Sequence, residues 1–362
     1  MISYSGSVGV MVVAPDVRSQ GGIAAVIDNY RRSGFWTRCK CTHFASYRDW
    51  DSKWARFAYS LWRYPVFIMA VIISRPTVIS IHTASRGSFY RKFGFILLSR
   101  LFGRVVVLHI HPSFFFQFFS QGNFLQRRLI RAACRSSRKL IFLTEDALTK
   151  FRSTFPDSDM SVIPNPVDVA RFEKHQRAQM RGNYQVLFLG WIVKEKGVYD
   201  ILDAIPAVVE RFPTAQFLFA GNKEVEKLSE AIQSRGLSKY ARVMGWVEGD
   251  RKRDLLLGSR LLLLPSYTEG VPNVILEAMA AGLPVITTPV GGIPSVFSEG
   301  VNGYFIAPGD SGSLAARILS LFVNDTECEN ISRLTRHMAK QRYDVETIGY
   351  QLQRAYEPLL QQ

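Results

Sequence analysis

Cysteine is scarce in this chain. Four stand among 362 residues, at positions 39, 41, 134 and 328, without a Cys-x-x-Cys pair. That usage excludes a disulfide scaffold and a structural zinc centre, and it fits a reducing compartment. Long apolar runs are missing too. The strongest in the first half, Val66 to Ile73, is far short of the roughly eighteen residues that mark a bilayer span, so no membrane-crossing segment is expected. The opening MISYSGSVGVMVVAP lacks the basic stretch that precedes the apolar part of a secretory leader, and it reads as a first strand. Short-period repeats and low-complexity tracts are absent. With 47% hydrophobic and 21% charged residues, disordered and collagen-like chains are excluded.

The largest absence is of acid. Between Asp51 and Glu145 there is no Asp or Glu, against 15 Lys and Arg. Residues 1–180 carry 26 basic and 10 acidic side chains, whereas residues 181–362 carry 19 and 20, so the net charge of +15 sits in the first half. Such a half is either a solvated basic face or an attractor for an anionic partner, whether membrane, nucleic acid or a phosphate-bearing acceptor.

What is present is an alternation of short apolar runs with amphipathic stretches. SVGVMVVAP, PTVISIHT, RVVVLHIH, KLIFLT and MSVIPNPVD read as strands separated by helices, and a second series runs from YQVLFLGW to SLAARILSLFVN. Strands so short, spaced by helices, predict mainly parallel sheets covered on both faces. The expected fold is α/β, two doubly wound parallel-sheet domains facing across a cleft: residues 1–168, a polar linker at 169–183, then residues 184–340. A final amphipathic helix is expected over 341–362. Ligands of such sheets bind beyond the carboxyl ends of the strands.

The segment SYTEGVPNVILEAMAAGLPVITTPVGG is the most informative. Leu261 to Leu264 read as a buried strand and Pro272 as a first-turn residue of the next helix. The N–H groups at Val271, Asn273 and Val274 can then cradle a diphosphate. Glu269 stands before that helix and Glu277 within it. Carboxylates on both sides of an anion site make sense if each accepts hydrogen bonds from ligand hydroxyls. Taken alone, the pair is equally an ordinary dipole partner and a solvated helix residue. Gly291–Gly292 offer a second backbone-donor loop. Lys196, in GWIVKEKGVYD, can put a point charge on a diphosphate leaving group, with Lys194 the second candidate. His109 and His111 end the strand RVVVLHIH, and His111, nearer the carboxyl end, is the one expected to emerge from it. No metal partner at a recognised spacing accompanies them.

These residues together resemble the retaining glycosyltransferases of the GT-B fold, group 4, which include bacterial exopolysaccharide, lipopolysaccharide and mannosyl transferases. The resemblance rests on the Glu-x7-Glu element, Glu269 to Glu277, within EGVPNVILEAMAAGLPVITTPVGG, followed by NGYFIAPGD. It implies that Glu269 binds donor-sugar hydroxyls and stabilises the charged transition state, and that Glu277 holds the nucleotide ribose. It implies further that Lys196 meets the diphosphate, that Gly21–Gly22 close over the donor phosphate, that His111 contacts the transferred sugar, and that backbone around Met244 and Gly245 lines the nucleobase pocket. No cofactor or metal is implied beyond the nucleotide-diphosphate sugar itself, a UDP- or GDP-sugar. The resemblance also implies that the final helix over 341–362 packs back on the first domain. Many relatives carry an arginine where this chain has Trp191; Lys194 or Arg18 could substitute for it, or helix and loop amides could serve with Lys196 alone. Asn165–Pro166 replaces the more usual Asn–Gly.

The basic first half should hold the acceptor. WDSKWARFAYSLWRYPVFIMAVII mixes Trp, Tyr and Arg with apolar residues, and SFFFQFFSQGNFLQRRLIRAACRSSRK joins a phenylalanine cluster to a basic stretch. Aromatics beside Lys/Arg suit a membrane-adsorbed surface; the alternative is that the Trp and Phe residues are core or line a sugar pocket. The expectation is a cytoplasmic enzyme attached peripherally to the inner face of the cytoplasmic membrane, with a lipid-linked saccharide or polyprenyl-diphosphate acceptor. A soluble sugar acceptor is the alternative, and a GT-B nucleotide-sugar epimerase a more distant one. No nucleic-acid reading module is recognisable.

Overall fold

The computed structural model describes residues 8–48, 52–111, 114–173 and 182–361. The first seven residues, Trp50, Pro112 and most of the expected linker (174–181) lie outside the described residues. Two compact units result: residues 1–166 with 345–362, and residues 167–344.

The first unit is a six-stranded sheet ordered β2-β1-β3-β4-β5-β6, all pairs parallel. Its strands are β1 (Val10–Pro15), β2 (Cys41–Tyr47), β3 (Val78–Thr83), β4 (Val105–Ile110), β5 (Lys139–Phe142) and β6 (Met160–Val162). Period-two alternation sends Met11 and Val13 to one core, and Val10, Val12 and Ala14 to another on the opposite face. Both faces are buried, as parallel sheets require. Helices Gly22–Arg32 and Val345–Leu360 cover the second face, and Ile348, Leu352, Tyr356 and Leu359 supply the latter helix's buried stripe.

The second unit repeats the plan as β12-β11-β10-β7-β8-β9, again all parallel. These are β7 (Gln185–Leu189), β8 (Gln216–Ala220), β9 (Ala241–Gly245), β10 (Leu261–Leu264), β11 (Val285–Thr287) and β12 (Gly303–Phe305). Strand order reverses between β7 and β10. A crevice opens at such a switch point, and the loops leaving these two strands border it.

Several elements depart from the sequence expectation. β2 was not expected, because CTHFASY alternates too weakly. The 18-residue helix Asp325–Arg342 was missed because its buried stripe, Cys328, Ile331, Ser332, Thr335 and Ala339, is partly polar. The final helix starts at Val345 rather than at 341, and Ala170–Glu173, inside the expected linker, forms a short helix. The expected phenylalanine loop is in part a helix, Phe115–Ser120. Phe115 and Phe119 are buried against Phe151 rather than displayed to a membrane.

Lys53–Ser74 is a single 22-residue helix with Pro65 inside it. Residues Trp54–Ser74 pass the length and composition test for a membrane span, which no run of consecutive apolar residues suggested. Its inner stripe, Ser60, Phe67, Val71 and Ser74, is buried. Its outer stripe, Trp54, Phe57, Leu61, Met69 and Ile72 with Trp62 and Ile73 alongside, is exposed although apolar.

Candidate functional site

In the second unit, three loops converge beyond the strand ends. After β7 the chain makes a single 3-10 turn, Lys194–Lys196, and enters a helix at Val198. Gly197 caps that helix at φ 71°, and a Cβ there would lie 2.2 Å from the Pro265 carbonyl oxygen, so the turn is pressed against the loop after β10. Tyr267 N–H donates to Glu195 O at 2.9 Å and completes the join. Lys196 reaches inward, with Nζ 2.6 Å from Glu269 Oε1 and 3.4 Å from Thr268 O, whereas Lys194 is exposed.

Glu269 is nearly buried and held twice. Ser266 Oγ donates to Oε1 at 2.9 Å, and Ser266 is itself fixed because its carbonyl accepts from Thr288 Oγ1 at 2.6 Å. Ser266 was not singled out in the sequence, since a serine at a strand exit has no signature. The glycine loop after β11 closes on the same carboxylate's backbone. Gly291 has φ 58°, and a Cβ on it would stand 1.8 Å from Glu269 O, while Gly292 N–H donates to Gly270 O at 2.9 Å. Gly291 is therefore required by close approach, and the two loops form one piece.

The helix Asn273–Ala281 begins one residue later than the sequence suggests, with Pro272 extended at the N-cap. Val271 to Val274 still form the positive helix entry beside Glu269. Glu277, one turn in, pairs with Lys252 Nζ at 2.5 Å. Lys252 belongs to the helix Gly249–Gly258, and in the run DRKRD nothing distinguishes it from its neighbours. Met244 and Gly245 end β9, where Gly245 O accepts from Gly221 N–H at 2.9 Å. At the position of the missing arginine, Trp191 is half exposed, and Lys223 Nζ, from the loop after β8, lies 5.2 Å from its ring centroid. Arg18, in the first unit, has its N–H on Asp16 Oδ1 at 3.0 Å.

In the first unit, Gly21 caps the helix Gly22–Arg32 in extended conformation, and a Cβ on it would meet nothing within 4 Å. Its own chain does not demand glycine there. His111 follows β4 with 7% exposure against 0% for His109, and its Nε2 lies 2.8 Å from Nδ1 of His82. His82, on β3, was not singled out. It stands opposite His109 in the parallel register, so three imidazoles meet. Burial pushes His111 down to about 3 and holds His82 and His109 well below the usual histidine range. Lys92, itself held well below the usual lysine range by burial, donates to Ser46 Oγ and in its charged form opposes protonation of His82 and His111.

Among the described residues, this is the one grouping with metal-ligand side chains. The 2.8 Å His82–His111 contact is a hydrogen bond, shorter than the roughly 3.3 Å that Zn–N bonds of about 2.0 Å at tetrahedral angles would set between ligand nitrogens. His82 and His111 are thus joined directly, while both ring nitrogens of His109 are buried without a hydrogen-bond partner among the described residues.

Comparison with known proteins identifies the family. The model for Glycosyltransferase Family 4 matches residues 11–171, and that for Glycosyl transferases group 1 matches residues 170–338. The chain belongs to the GT-B glycosyltransferases. A phosphatidyl-myo-inositol mannosyltransferase of Mycobacterium leprae is 32% identical over 204 residues, 55% of this chain and 54% of its own length. The chain thus spans about half the length of the curated relatives it matches. Among solved structures, sucrose-phosphate synthase from Thermosynechococcus elongatus aligns with a TM-score of 0.80 at 15% identity, over 98% of this chain and 99% of that one. Anabaena HepE in complex with UDP aligns at 0.74 and 18%, over 97% and 100%. At these identities the two structures speak for the GT-B fold.

Proposed function

We propose that this GT-B glycosyltransferase moves a hexosyl group, with retention, from a nucleoside-diphosphate sugar to a hydroxyl of a lipid-linked glycan or glycolipid in cell-surface polysaccharide synthesis. The observation that carries the reading is the Lys196–Glu269 pair, braced by Ser266 beside a helix entry and a glycine loop. An arriving diphosphate draws the Lys196 ammonium and the helix-entry backbone. Glu269 then keeps its bond to Ser266 and turns its remaining acceptor capacity to the donor sugar.

As the bond to the leaving phosphate breaks, positive charge grows on the sugar and negative charge on the diphosphate. Glu269 lies on the first side and Lys196 on the second, so both stabilise charge that develops in the transition state. The acceptor hydroxyl attacks from the face the diphosphate leaves, through an oxocarbenium-like state. No cofactor is assigned, because Lys196, with backbone N–H groups, supplies the positive field. Glu277 is assigned to the ribose, and His111 to the transferred sugar. The HepE structure holds UDP, which favours a uridine donor, with GDP-sugars next. The test is incubation with UDP-, GDP- and ADP-sugars plus a bacterial lipid extract, following nucleoside diphosphate release and label in lipid. Release dependent on lipid is expected; no release from any donor would overturn the reading.

The acceptor side is read as a cytoplasmic, membrane-adsorbed face. The exposed stripe of the helix Lys53–Ser74 adjoins the helix Gly87–Leu101, which exposes Tyr90, Leu97 and Leu101. Tyr90 Oη in turn donates to Gln126 of the helix Phe124–Ser136, whose start exposes Phe124 and Leu125 ahead of Arg127, Arg128, Arg131 and Arg135. Apolar rings flanked by cations without acid match an anionic bilayer surface. Binding to vesicles should rise with anionic lipid content. It should fall about tenfold when Trp54→Ser and Trp62→Ser remove two interfacial anchors. Co-sedimentation indifferent to lipid charge would sink this part.

A further inference from the structure

We infer that Tyr356, Ser80 and His82 form a one-way hydrogen-bond chain that fixes the tautomer of His111, leaving the His111 proton on Nδ1. The contacts run unbroken: Tyr356 Oη to Ser80 Oγ at 2.6 Å, Ser80 Oγ to His82 Nε2 at 3.3 Å, and His82 Nδ1 to His111 Nε2 at 2.8 Å. All four side chains are buried. The face of the sheet explains why they meet. Ser80 and His82 alternate onto the side covered by the helix Val345–Leu360, which brings Tyr356 against them.

Direction follows from proton counting. A buried phenol is stabilised when its proton sits on an acceptor, and burial raises the Tyr356 pKa, so that proton stays in place. Ser80 Oγ is the acceptor the structure provides, which leaves the Ser80 hydroxyl to donate onward to His82 Nε2. His82 and His111 are neutral at pH 7, because burial and cationic neighbours oppose their protonation. A neutral imidazole has one N–H and one lone pair. His82, accepting at Nε2, must donate from Nδ1. His111, accepting at Nε2, must carry its own proton on Nδ1. The ring opposite the relay therefore offers a donor.

The catalytic consequence rests on the reading in which His111 meets the transferred sugar: an N–H there suits a sugar oxygen with a free lone pair, and the other tautomer would present a second acceptor instead. Ser80, His82 and Tyr356 act through His111 and are positioning residues. The tautomer itself does not depend on that reading.

Nitrogen-15 labelling of histidine in the full chain, with two-bond proton–nitrogen correlation spectra and the His111 signals identified by their loss in His111→Asn, reads the tautomer directly. The expected wild-type result is His111 protonated on Nδ1. Ser80→Ala removes the donor to His82 and should move His111 toward the Nε2 form, while Ser80→Thr, which keeps a hydroxyl, should restore it. A wild-type His111 protonated on Nε2, or a pattern unchanged in Ser80→Ala, overturns the relay. Transfer kinetics separate the two levels. About a tenfold loss of kcat/KM in Ser80→Ala, recovered in Ser80→Thr, supports both. A tautomer that shifts while kcat/KM does not would keep the relay and overturn the contact of His111 with the sugar.

Discussion

Glu269→Gln lowers the transfer rate by roughly two to three orders of magnitude, the scale set by loss of one preorganised charge or donor at a transition state. Glutamine keeps the shape, and its amide oxygen can still accept from Ser266 Oγ, which holds Glu269 Oε1 at 2.9 Å. What goes is the negative charge that the proposed mechanism sets against the developing sugar cation. The loss should therefore fall on kcat, with donor KM little changed, because the charge matters more in the transition state than in the ground state. Lys196→Ala in the same background should cost less than it does alone, since the two side chains form one ion pair at 2.6 Å and their effects are coupled. Steady-state kinetics of the two single variants and the double variant, with thermal unfolding as a check on folding, measure this. Near-normal kcat in a folded Glu269→Gln protein would remove Glu269 from the chemistry.

Acid should unfold the first unit before the second. Burial lowers His43 to about 4 and His111 to about 3, and takes His82 and His109 well below the ordinary range. All four belong to the first unit. In the unfolded chain each titrates near 6.5, so below that pH the unfolded state binds protons that the folded state refuses. The stability these neutral rings preserve is complete above pH 6.5. It is lost as pH falls through 6.5 toward 4, at about 2 kcal/mol by pH 5 for each histidine still neutral. Four such losses compare with a typical domain stability of about 5–15 kcal/mol. Peptide-resolved hydrogen exchange at pH 7, 6 and 5 should show β1, β3 and β4 losing protection while β7, β10 and β11 keep theirs. Equal loss in both units, or none above pH 4, would contradict the buried neutral histidines. Adding Ser80→Ala to this experiment would not remove the effect, since burial is its first cause.

Much of the candidate site was readable because its signals are local. Helix entry near Pro272, glycines at 291 and 292, a lysine after β7 and carboxylates at 269 and 277 are each set by a few neighbouring residues. So is the strand alternation that announced two parallel sheets. Two local expectations still failed at the ends of elements. The last helix begins at Val345, and Phe115 and Phe119 are core. Periodicity carries no information about which neighbour a face will meet.

Pairings decided by folding were not readable. Lys252 and Glu277 are 25 residues apart, His82 and His111 are 29, and Ser80 and Tyr356 are 276. Each pair is made by strand order or by a helix docking on a sheet face, and any of several lysines or serines would have served as well on sequence alone. The chain by itself determined the two parallel-sheet domains and the candidate-site segment, whose motif carries the family resemblance, because backbone preference and side-chain alternation act over a few residues. Tertiary structure alone decided that Lys196 rather than Lys194 reaches Glu269, that Lys223 stands at Trp191, and that His111 is held by a buried relay. Those outcomes depend on which distant elements share a sheet edge or face.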